Sequence, residues 1–575
     1  MINASARNWL ESELVFLLEI NWNGAIYRFS SFPVVVEDGT KSYQYIGGLE
    51  DPKIEQEMKL GFNVENNSIP LSLIFLDKDI AAEQAKDNFL DGSTGELSYV
   101  FYKSGQVLQS YSSRYKIAEG IISQPLYGYP DKPKGYVEFS LEEQARINEE
   151  IDLLEAVGSV PGLINSADFS NPDKAAGSPL PVTSNLIIDV SQFSEGKIVP
   201  FVFGITGYSY SLTSNMNKLA LRNTPCYFVA FDASEYWYFI IAAHVVDATD
   251  IIIFDNKGNS HGCNVGHWVG IHNNIFAYCK SAGTGLSQWE EFRDDQSVEY
   301  WVQWRQPITN NPEGAFLSPY SNEPLENGLE LILFCLSLCT DRIDWQSFFS
   351  LIPALEKYKF AGYVNEPINP VEFIDGHIIP YLPIQLVLGE NGIKPVLDLS
   401  ISDEYLETTQ TITADSSFYC SGGIETSGDI SNVTNFYEIQ FAKDGLKNAY
   451  SQTIRLSPKK YDPRSTSTRG TPWFEFGTEK SLSSFLKFGL KSKTETLDYV
   501  YDYETAIQIA KDLVNKNAFP TRTVEYVANR NWGFLGLGDL IKLTDTKNGI
   551  TENTAQIIKK SWDGSNWVYI LELGE

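Results

Sequence analysis

The stretch Glu326-Asn-Gly-Leu-Glu-Leu-Ile-Leu-Phe-Cys-Leu-Ser-Leu-Cys339 differs in pattern from the sequence on either side of it. Its apolar residues recur at helical spacing with a narrow polar edge, which predicts a largely buried helix. Asp344 is placed to cap a second helix, in which Pro353 predicts a kink or an early end. Asn369 followed by Pro370 predicts the start of a third helix. Together these patterns predict a helical module inside a chain that otherwise has the pattern of strands.

Strand patterns surround this module. Before it, Leu14–Trp22 and Ala25–Ser30 are apolar-rich and are joined by Asn23-Gly24, the strongest short signal for a hairpin. The spacing of strands and turns over about the first 140 residues predicts a barrel or a curved sheet. After the module, Trp562–Asn566 predicts a hairpin turn between two closing strands. The predicted fold class is therefore mainly β with a helical module, an α+β multidomain chain.

An acidic helix is predicted over Leu141–Ala156, where six acidic residues accompany the single basic residue Arg146. The apolar stripe of this helix comprises Leu141, Ile147, Ile151 and Leu154. A solvated charged face accounts for the acidic residues, and a pair of catalytic carboxylates is the alternative. The following segment Asp168–Asn185 contains Pro, Ser and Gly, which predicts a linker.

Length, composition and charge limit the class of protein. With 575 residues, of which 43% are hydrophobic, the chain is long enough for roughly four domains with cores of their own. No apolar run approaches the ~20 residues of a membrane-spanning helix, and the N-terminus lacks the pattern of a secretion signal. Six cysteines indicate a reducing compartment and no disulfide framework. The net charge of −30 argues against a protein that grips nucleic acid, since phosphate binding needs clustered Lys and Arg.

One segment of the sequence contains side chains that could hold a metal ion. The candidates are His261, Cys263 and His267, with His272 and Cys279 further on. His261 and Cys263 would share one face of a strand, and imidazole with thiolate suits zinc. However, the spacing matches no zinc motif, and Gly262 and Gly266 suggest a turn. We therefore expect no bound metal and no cofactor, with the His261 and Cys263 pair as the alternative.

The sequence also lacks the common catalytic signatures. It contains no Gly-x-Ser-x-Gly, no Walker-type lysine loop and no His-Glu-x-x-His, so we expect a protein that is not an enzyme. Two classes of function stay open at this point. A cell-wall hydrolase would need an acid–base pair or a zinc site. A monomeric glycan-binding adhesin would account for the many aromatic residues and the loops.

Several segments resemble the tail hub proteins (baseplate hub or distal tail-tip proteins) of long-tailed bacteriophages and gene transfer agents. These segments are ARNWLESELVFLLEINWNGAIYRFS (6–30), GKIVPFVFG (196–204), WYFIIAAHVVDATDIIIFDNKG (237–258), the helical module from ELILFCLSLC to NGIKPV (330–396), LGDLIKLTD (537–545) and AQIIKKSWDGSNWVYILELG (555–574). The resemblance follows the same order along all four quarters of the chain. It rests on patterns that form the fold, not on catalytic motifs.

This resemblance implies a homotrimer in which each chain carries two tube-like β-barrel domains, so that three chains form a pseudo-sixfold ring continuing a hexameric tail tube. The expected parts are an N-terminal tube-like β-barrel domain (1–140), an acidic helix and linker (141–185), an inserted β-rich domain (186–320), the helical module (321–400) and a C-terminal β-barrel domain (401–575). The implied partners are the tail tube or distal tail protein, the tape measure protein, and tail fibre or receptor-binding proteins. The implied location is the tail tip or baseplate of a virion assembled in the bacterial cytoplasm.

The charge of the chain suits a passage for DNA. Three chains carry 3 × −30 = −90 formal charges. Duplex DNA carries about one negative charge per 1.7 Å of its axis, so a basic channel would hold it and an acidic channel would let it slide. We therefore expect Asp and Glu in excess on the channel wall, which passes DNA without specific binding. The alternative is that the charge only keeps the protein soluble.

Overall fold

A computed structural model provides the structure of the protein. It describes residues 12–58, 68–74, 90–127, 135–142, 147–148, 150–154, 186–188, 197–204, 224–232, 237–242, 248–249, 251–256, 260–269, 275–281, 299–303, 306–307, 320, 324–389, 391–399, 410–427, 430–445, 447–460 and 473–574. Within these residues the chain is mainly β, and helices are few. This confirms the predicted fold class. The sequence also predicts a strand over Leu60–Asn66, a helix over Ala81–Asn88 and a loop over Arg464–Gly470, and all three lie outside the described residues.

The N-terminal part forms a nine-stranded sheet. Its region contains β1 Glu13–Trp22, β2 Ala25–Ser30, β3 Val34–Asp38, β4 Lys41–Gly47, β5 Glu55–Glu57, β6 Ser68–Ile74, β7 Thr94–Lys103, β8 Gln106–Val107, β9 Tyr115–Tyr127 and β10 Tyr136–Glu142. The strand order is β3-β4-β2-β1-β7-β9-β10-β6, with β8 against β7, while β5 joins another sheet. Asn23 and Gly24 have φ angles of 51° and 79°, as the predicted tight hairpin requires. Leu49 bridges to Leu73 of β6, so the sheet curls back on itself.

The predicted acidic helix Leu141–Ala156 is wrong at its start. Leu141 and Glu142 are the last residues of β10, which pairs with β6 on one side and β9 on the other. Buried and half-buried positions alternate along β10 up to Leu141, so the strand period of two continues to this point. The backbone pairing of β10 with β6 and β9 therefore outweighs the helical spacing of apolar residues that begins at Leu141. Of the described residues that follow, only 153–154 are helical.

The middle of the chain forms a sheet that closes on itself. Its region contains β11 Leu186–Ile188, β12 Phe201–Phe203, β13 Thr224–Asp232, β14 Trp237–Ala242, β15 Ala248–Thr249, β16 Ile251–Asp255, β17 Ser260–Val269, β18 Ile275–Ser281, β19 Tyr300–Gln303 and β20 Gln306–Pro307. The order is β11-β13-β14-β18-β17-β16-β19, and β13 also pairs with β19. This second pairing joins six antiparallel strands into a ring.

The helical module follows, with its three helices where the sequence predicts them. They are α1 Gly328–Cys339, α2 Trp345–Leu351 and α3 Pro370–His377, and the strands are β21 Gly362–Val364, β22 Ile384–Gly389 and β23 Gly392–Leu397. Asn327, Asp344 and Asn369 each accept hydrogen bonds from backbone N–H groups in the first turn of the helix that they precede. Pro353 lies in a 3₁₀ turn that ends the second helix early, as predicted.

The C-terminal part contains two further sheets. Its elements are β24 Gln410–Thr413, β25 Phe418–Cys420, β26 Glu425–Ser427, β27 Phe436–Asp444, β28 Ala449–Leu456, β29 Trp473–Phe476, α4 Glu479–Phe488, β30 Ser492–Thr496, α5 Tyr503–Asn517, β31 Thr521–Ala528, β32 Leu540–Asp545, β33 Ile550–Trp562 and β34 Trp567–Leu573. One sheet has the order β24-β32-β33-β34-β31-β25, with β26 on β31 and β5 on β33. The other has the order β29-β28-β27-β30. The apolar spacing of Tyr503–Asn517 predicts an amphipathic helix, and Trp567–Leu573 has the pattern of a closing strand; both predictions are confirmed.

Two large hydrophobic cores hold these elements together. One core joins the helical module to the four-stranded sheet and α5, through residues such as Leu336, Ile439 and Ile509. The other joins the N-terminal sheet to the eight-stranded C-terminal sheet, through residues such as Phe16 and Tyr569. The two ends of the chain therefore pack together, although 412 − 141 = 271 positions separate Leu141 from Ile412, the nearest members of the two parts in sequence.

Candidate functional site

The candidate metal ligands lie on one continuous strand. His261, Cys263 and His267 all belong to β17, which pairs with β16 and β18 without interruption through Gly262 and Gly266. The turn that the two glycines suggest is therefore wrong, because Gly262 pairs with Ile252 of β16 and Gly266 pairs with Tyr278 of β18, which keeps the segment extended. Six residues of strand span about 20 Å, whereas a zinc ion binds its ligands at about 2.0–2.3 Å. The structure thus does not bring His267 to the same ion as His261.

Cysteine thiols elsewhere have the properties of core side chains. Cys226 is 1% exposed, and burial, with a smaller contribution from Cys263, raises the pKa of its thiol well above the ordinary value. Cys335 and Cys339 are buried free thiols on α1, and burial likewise raises the pKa of both. Among the residues that the structure describes, no group of three or more His, Cys, Asp or Glu side chains is placed to hold a metal ion. His244 and His272 lie outside those residues.

The feature that could serve a mechanical function is the junction of the two end sheets, which we call the seam (β5 with β33, and Phe16, Tyr99 and Trp567 beneath them). Strand β5, in the N-terminal part, pairs antiparallel with β33. The main chain continues this pairing at both ends, since Met58 N donates to Ile558 O at 2.8 Å and Trp562 N donates to Ile54 O at 3.0 Å. Backbone hydrogen bonds of this kind fix the register of β5, a segment of the N-terminal part, on the C-terminal sheet.

Aromatic rings fill the space beneath the seam. The ring of Phe16 lies 5.7 Å from Trp562, and the ring of Tyr99 lies 6.1 Å from Trp567. The buried ammonium of Lys560 lies 4.6 Å from the centre of the Trp567 ring and donates to the backbone oxygen of Gly533 at 2.7 Å. Ring pairs from both sheets therefore connect the two ends of the chain, and Lys560 joins Gly533 and Trp567 within the C-terminal part.

Gly533 allows this close packing. A Cβ atom at position 533 would lie 2.4 Å from Nε1 of Trp567 and 2.7 Å from the hydroxyl oxygen of Tyr99. Real side chains do not tolerate such distances, so only glycine fits between the two rings. No pattern in the sequence predicts this packing beneath the seam, because residues 16, 99, 533 and 567 are far apart along the chain.

Acidic side chains on the N-terminal sheet are largely neutralised. Glu19 accepts hydrogen bonds from Arg28 Nε at 3.1 Å, from the Tyr111 hydroxyl at 3.0 Å and from the Tyr45 hydroxyl. Burial, and then the bond to Glu19, raises the pKa of Tyr45 far above its usual range. Glu96 is paired with Arg114 in the same way. The carboxylates of Glu19 and Glu96 on this face therefore have cationic or hydroxyl partners.

Three solved structures resemble the fold. A tail protein from Neisseria meningitidis MC58 matches with a TM-score of 0.36 and 11% identity, over 97% of this chain and 96% of that one. The 43 kDa tail protein of prophage MuSo2 from Shewanella oneidensis matches with a TM-score of 0.30 and 8% identity, over 98% and 96%. The chain is similar to phage tail proteins along nearly its whole length. A chain of a gene transfer agent virion matches with a TM-score of 0.19 and 10% identity, over 51% of this chain and 89% of that one.

At these identities and TM-scores, the matches assign no role to any residue of this chain. No family model matches the sequence, and no curated protein matches it. None of the described helices has the length and apolar character that crossing a bilayer requires.

Proposed function

We propose that the chain is a structural component of a phage-type tail: a trimeric hub that continues the tail tube and connects it to the tail tip. Its partners would be the tail tube or distal tail protein, the tape measure protein, and tail fibre or receptor-binding proteins. The protein would act in the virion, at the tail tip or baseplate. Its role would be mechanical and not catalytic.

The seam is the observation that carries this proposal. A hub that continues a sixfold tube from three chains must present two equivalent barrel units per chain at a fixed spacing. The two end sheets share one core, and strand β5 of the N-terminal part is a member of the C-terminal sheet through its pairing with β33, so the two sheets are held at a fixed spacing. Three copies of such a unit supply six sheets around an axis. The resemblance of the sequence to tail hub proteins supports the same arrangement.

The charge supports a passage for DNA along that axis. Three chains carry 3 × −30 = −90 formal charges. A channel wall with the same sign of charge as DNA repels the phosphates and keeps the passage free of non-specific binding. We therefore infer that the excess of Asp and Glu faces the channel of the trimer.

The oligomeric state tests the hub. Mass photometry of the purified full chain should give a particle of three times the 64.6 kDa chain mass, and negative-stain images should show a closed ring of threefold or pseudo-sixfold outline. A species that stays at 64.6 kDa across the accessible concentration range would contradict the hub and favour a monomeric binding protein.

A separate measurement tests the channel. Fluorescence anisotropy of labelled duplex DNA, titrated with the trimer at low salt, should show no binding. A Kd of roughly 10⁻⁴–10⁻⁶ M would match ordinary non-specific DNA binding and would show that the channel wall is not acidic. A cryo-microscopy map of the trimer would then show directly which side chains face the axis.

A further inference from the structure

A cavity of about 340 Å³ lies between the helical module and the four-stranded sheet, far in sequence from the seam. Three segments form it: residues 362–377 of the module, the turn between β27 and β28, and residues 498–501 before α5. We call it the Tyr499 pocket. Its volume lies at the lower end of the range of about 300–1,000 Å³ that small-molecule sites occupy.

The apolar wall of the Tyr499 pocket is rigid. The Tyr499 ring packs 5.3 Å from Phe373, 5.1 Å from His377 and 5.7 Å from Phe203. The backbone N–H of Ala361 donates to the Tyr499 carbonyl oxygen at 2.8 Å, which ties this wall to β21. Aromatic rings that are held in this way form a preformed surface for the flat face of a ligand.

The opposite side of the pocket is polar. Lys443 Nζ lies 3.2 Å from Asp498 Oδ1, and the Tyr450 hydroxyl donates to the same carboxylate. Asn448 adds an amide at the turn, and the exposed carboxylate of Glu366 stands at the edge. The pocket therefore offers an ammonium and an amide as donors and carboxylates as acceptors, beside an aromatic wall.

These charges exclude charged ligands. An anion would meet the carboxylates of Glu366 and Asp498. A cation would compete with Lys443 for Asp498 and would meet a like charge a few ångströms away. An uncharged ligand with hydroxyl groups around its edge and C–H groups on its faces meets neither penalty. A pyranose ring has this distribution of polar and apolar groups.

We propose that the Tyr499 pocket binds a single uncharged pyranose unit of a glycan. The aromatic wall would contact one face of the sugar, while Lys443, Asp498, Asn448 and the hydroxyl group of Tyr363 would form hydrogen bonds to its hydroxyl groups. Burial lowers the pKa of His377, and Lys443 lowers it further, although Asp498 opposes this shift. His377 is therefore a neutral imidazole at pH 7, which suits an uncharged ligand. The inference does not depend on trimer formation.

Saturation-transfer NMR on the full chain tests the proposal. The probes are glucose, galactose and N-acetylglucosamine, each at millimolar concentration, together with choline and methyl phosphate as charged probes whose methyl protons can receive saturation. At least one sugar should receive saturation from the protein, and neither charged probe should do so. Binding by choline or methyl phosphate, or by none of the five probes, would overturn the assignment.

Three variants locate the binding. Tyr363→Phe removes only a hydroxyl group from the pocket lining. Asn448→Gly removes the amide at a position with φ 48°, which glycine adopts without strain. Each should weaken sugar binding by roughly two- to tenfold, the effect of one hydrogen bond. Tyr419→Phe makes the same change on an exposed tyrosine of β25 and should leave the Kd unchanged. Sugar binding that is equal in all three variants would overturn the assignment to this pocket.

Discussion

Asp512 is a carboxylic acid buried in the core that joins α5 to the helical module. Its side chain is 6% exposed and accepts hydrogen bonds from the Tyr358 hydroxyl and from Gln508 Nε2, the latter at 3.0 Å. Burial raises its pKa to about 7; the two hydrogen bonds and Lys511 oppose the shift, and Asp398 adds to it. The folded protein therefore holds a proton at this site that the unfolded chain releases near pH 4.

This proton makes stability depend on pH. Because the folded pKa is the higher one, the favourable contribution is complete below about pH 4, decreases as the pH rises, and is lost above about pH 7. Asp512→Asn should remove this dependence on pH. Between pH 4.5 and 7.5, the free energy of unfolding of the native chain should fall by roughly 2–3 kcal/mol more than that of the variant. Urea titrations at the two pH values measure the difference. As a control, Glu552→Gln replaces an exposed carboxylate by an amide, and its free energy of unfolding should change with pH as that of the native chain does.

Gly362 is required beside the pocket for two reasons. Its φ of 151° is unfavourable for other residues, and an added Cβ atom would lie 2.7 Å from Cδ1 of Tyr499. We expect Gly362→Ala to lower the free energy of unfolding by roughly 1–3 kcal/mol. The matched change Gly376→Ala, in α3 with open space around it, should raise it by about 0.5–1 kcal/mol. Thermal or urea unfolding of both variants checks the opposite signs, and equal effects would contradict this account.

At the scale of elements, the cap of α3 connects two parts of the chain. Asn369 Oδ1 accepts a hydrogen bond from Val371 N at 2.8 Å, and Asn369 Nδ2 donates to Ile151 O at 3.2 Å. Asn369→Ala should lower the free energy of unfolding by about 1–2 kcal/mol, since both interactions are lost. Asn369→Asp keeps the oxygen that caps the helix and removes only the Nδ2 donor, so its free energy of unfolding should fall clearly less than that of Asn369→Ala. If the two variants are equally unstable in urea, the cap contributes nothing.

Elements set by local chemistry are the ones that could be predicted from the sequence. The caps Asp344 and Asn369, and the Asn23-Gly24 hairpin, act over a few residues and are all present. The error at Leu141 has a non-local cause, because its strand partners come from β6 and β9. The residues next to Leu141 in the sequence do not indicate which strands will pair with β10 on either side.

The candidate sites were less predictable than the elements. The weak metal candidates His261, Cys263 and His267 have side chains that suit zinc, but β17 spreads them along one strand. The Tyr499 pocket and the seam each combine segments that are far apart in sequence. A glycine such as Gly533 gives no indication in the sequence that it separates two aromatic rings.

At the scale of the whole molecule, the shared core predicts that the two end sheets unfold together. Phe16 is 1% exposed and contacts rings of both sheets, with Tyr99 at 6.5 Å and Trp562 at 5.7 Å. A core that spans both sheets makes each depend on the other for burial of its apolar face. Two independent barrels on a linker would instead unfold separately.

Phe16→Ala should therefore destabilise both ends of the chain. We expect a loss of about 3–5 kcal/mol, the usual result of removing a buried Phe, and hydrogen exchange should accelerate equally in β1 and in β33–β34. Phe349→Ala removes the same side chain where it is 47% exposed, and should cost less than about 1 kcal/mol. If exchange accelerates in β1 while β33–β34 keep their protection, the end sheets are separate units. The fixed spacing on which the proposed pseudo-sixfold ring depends would then be lost.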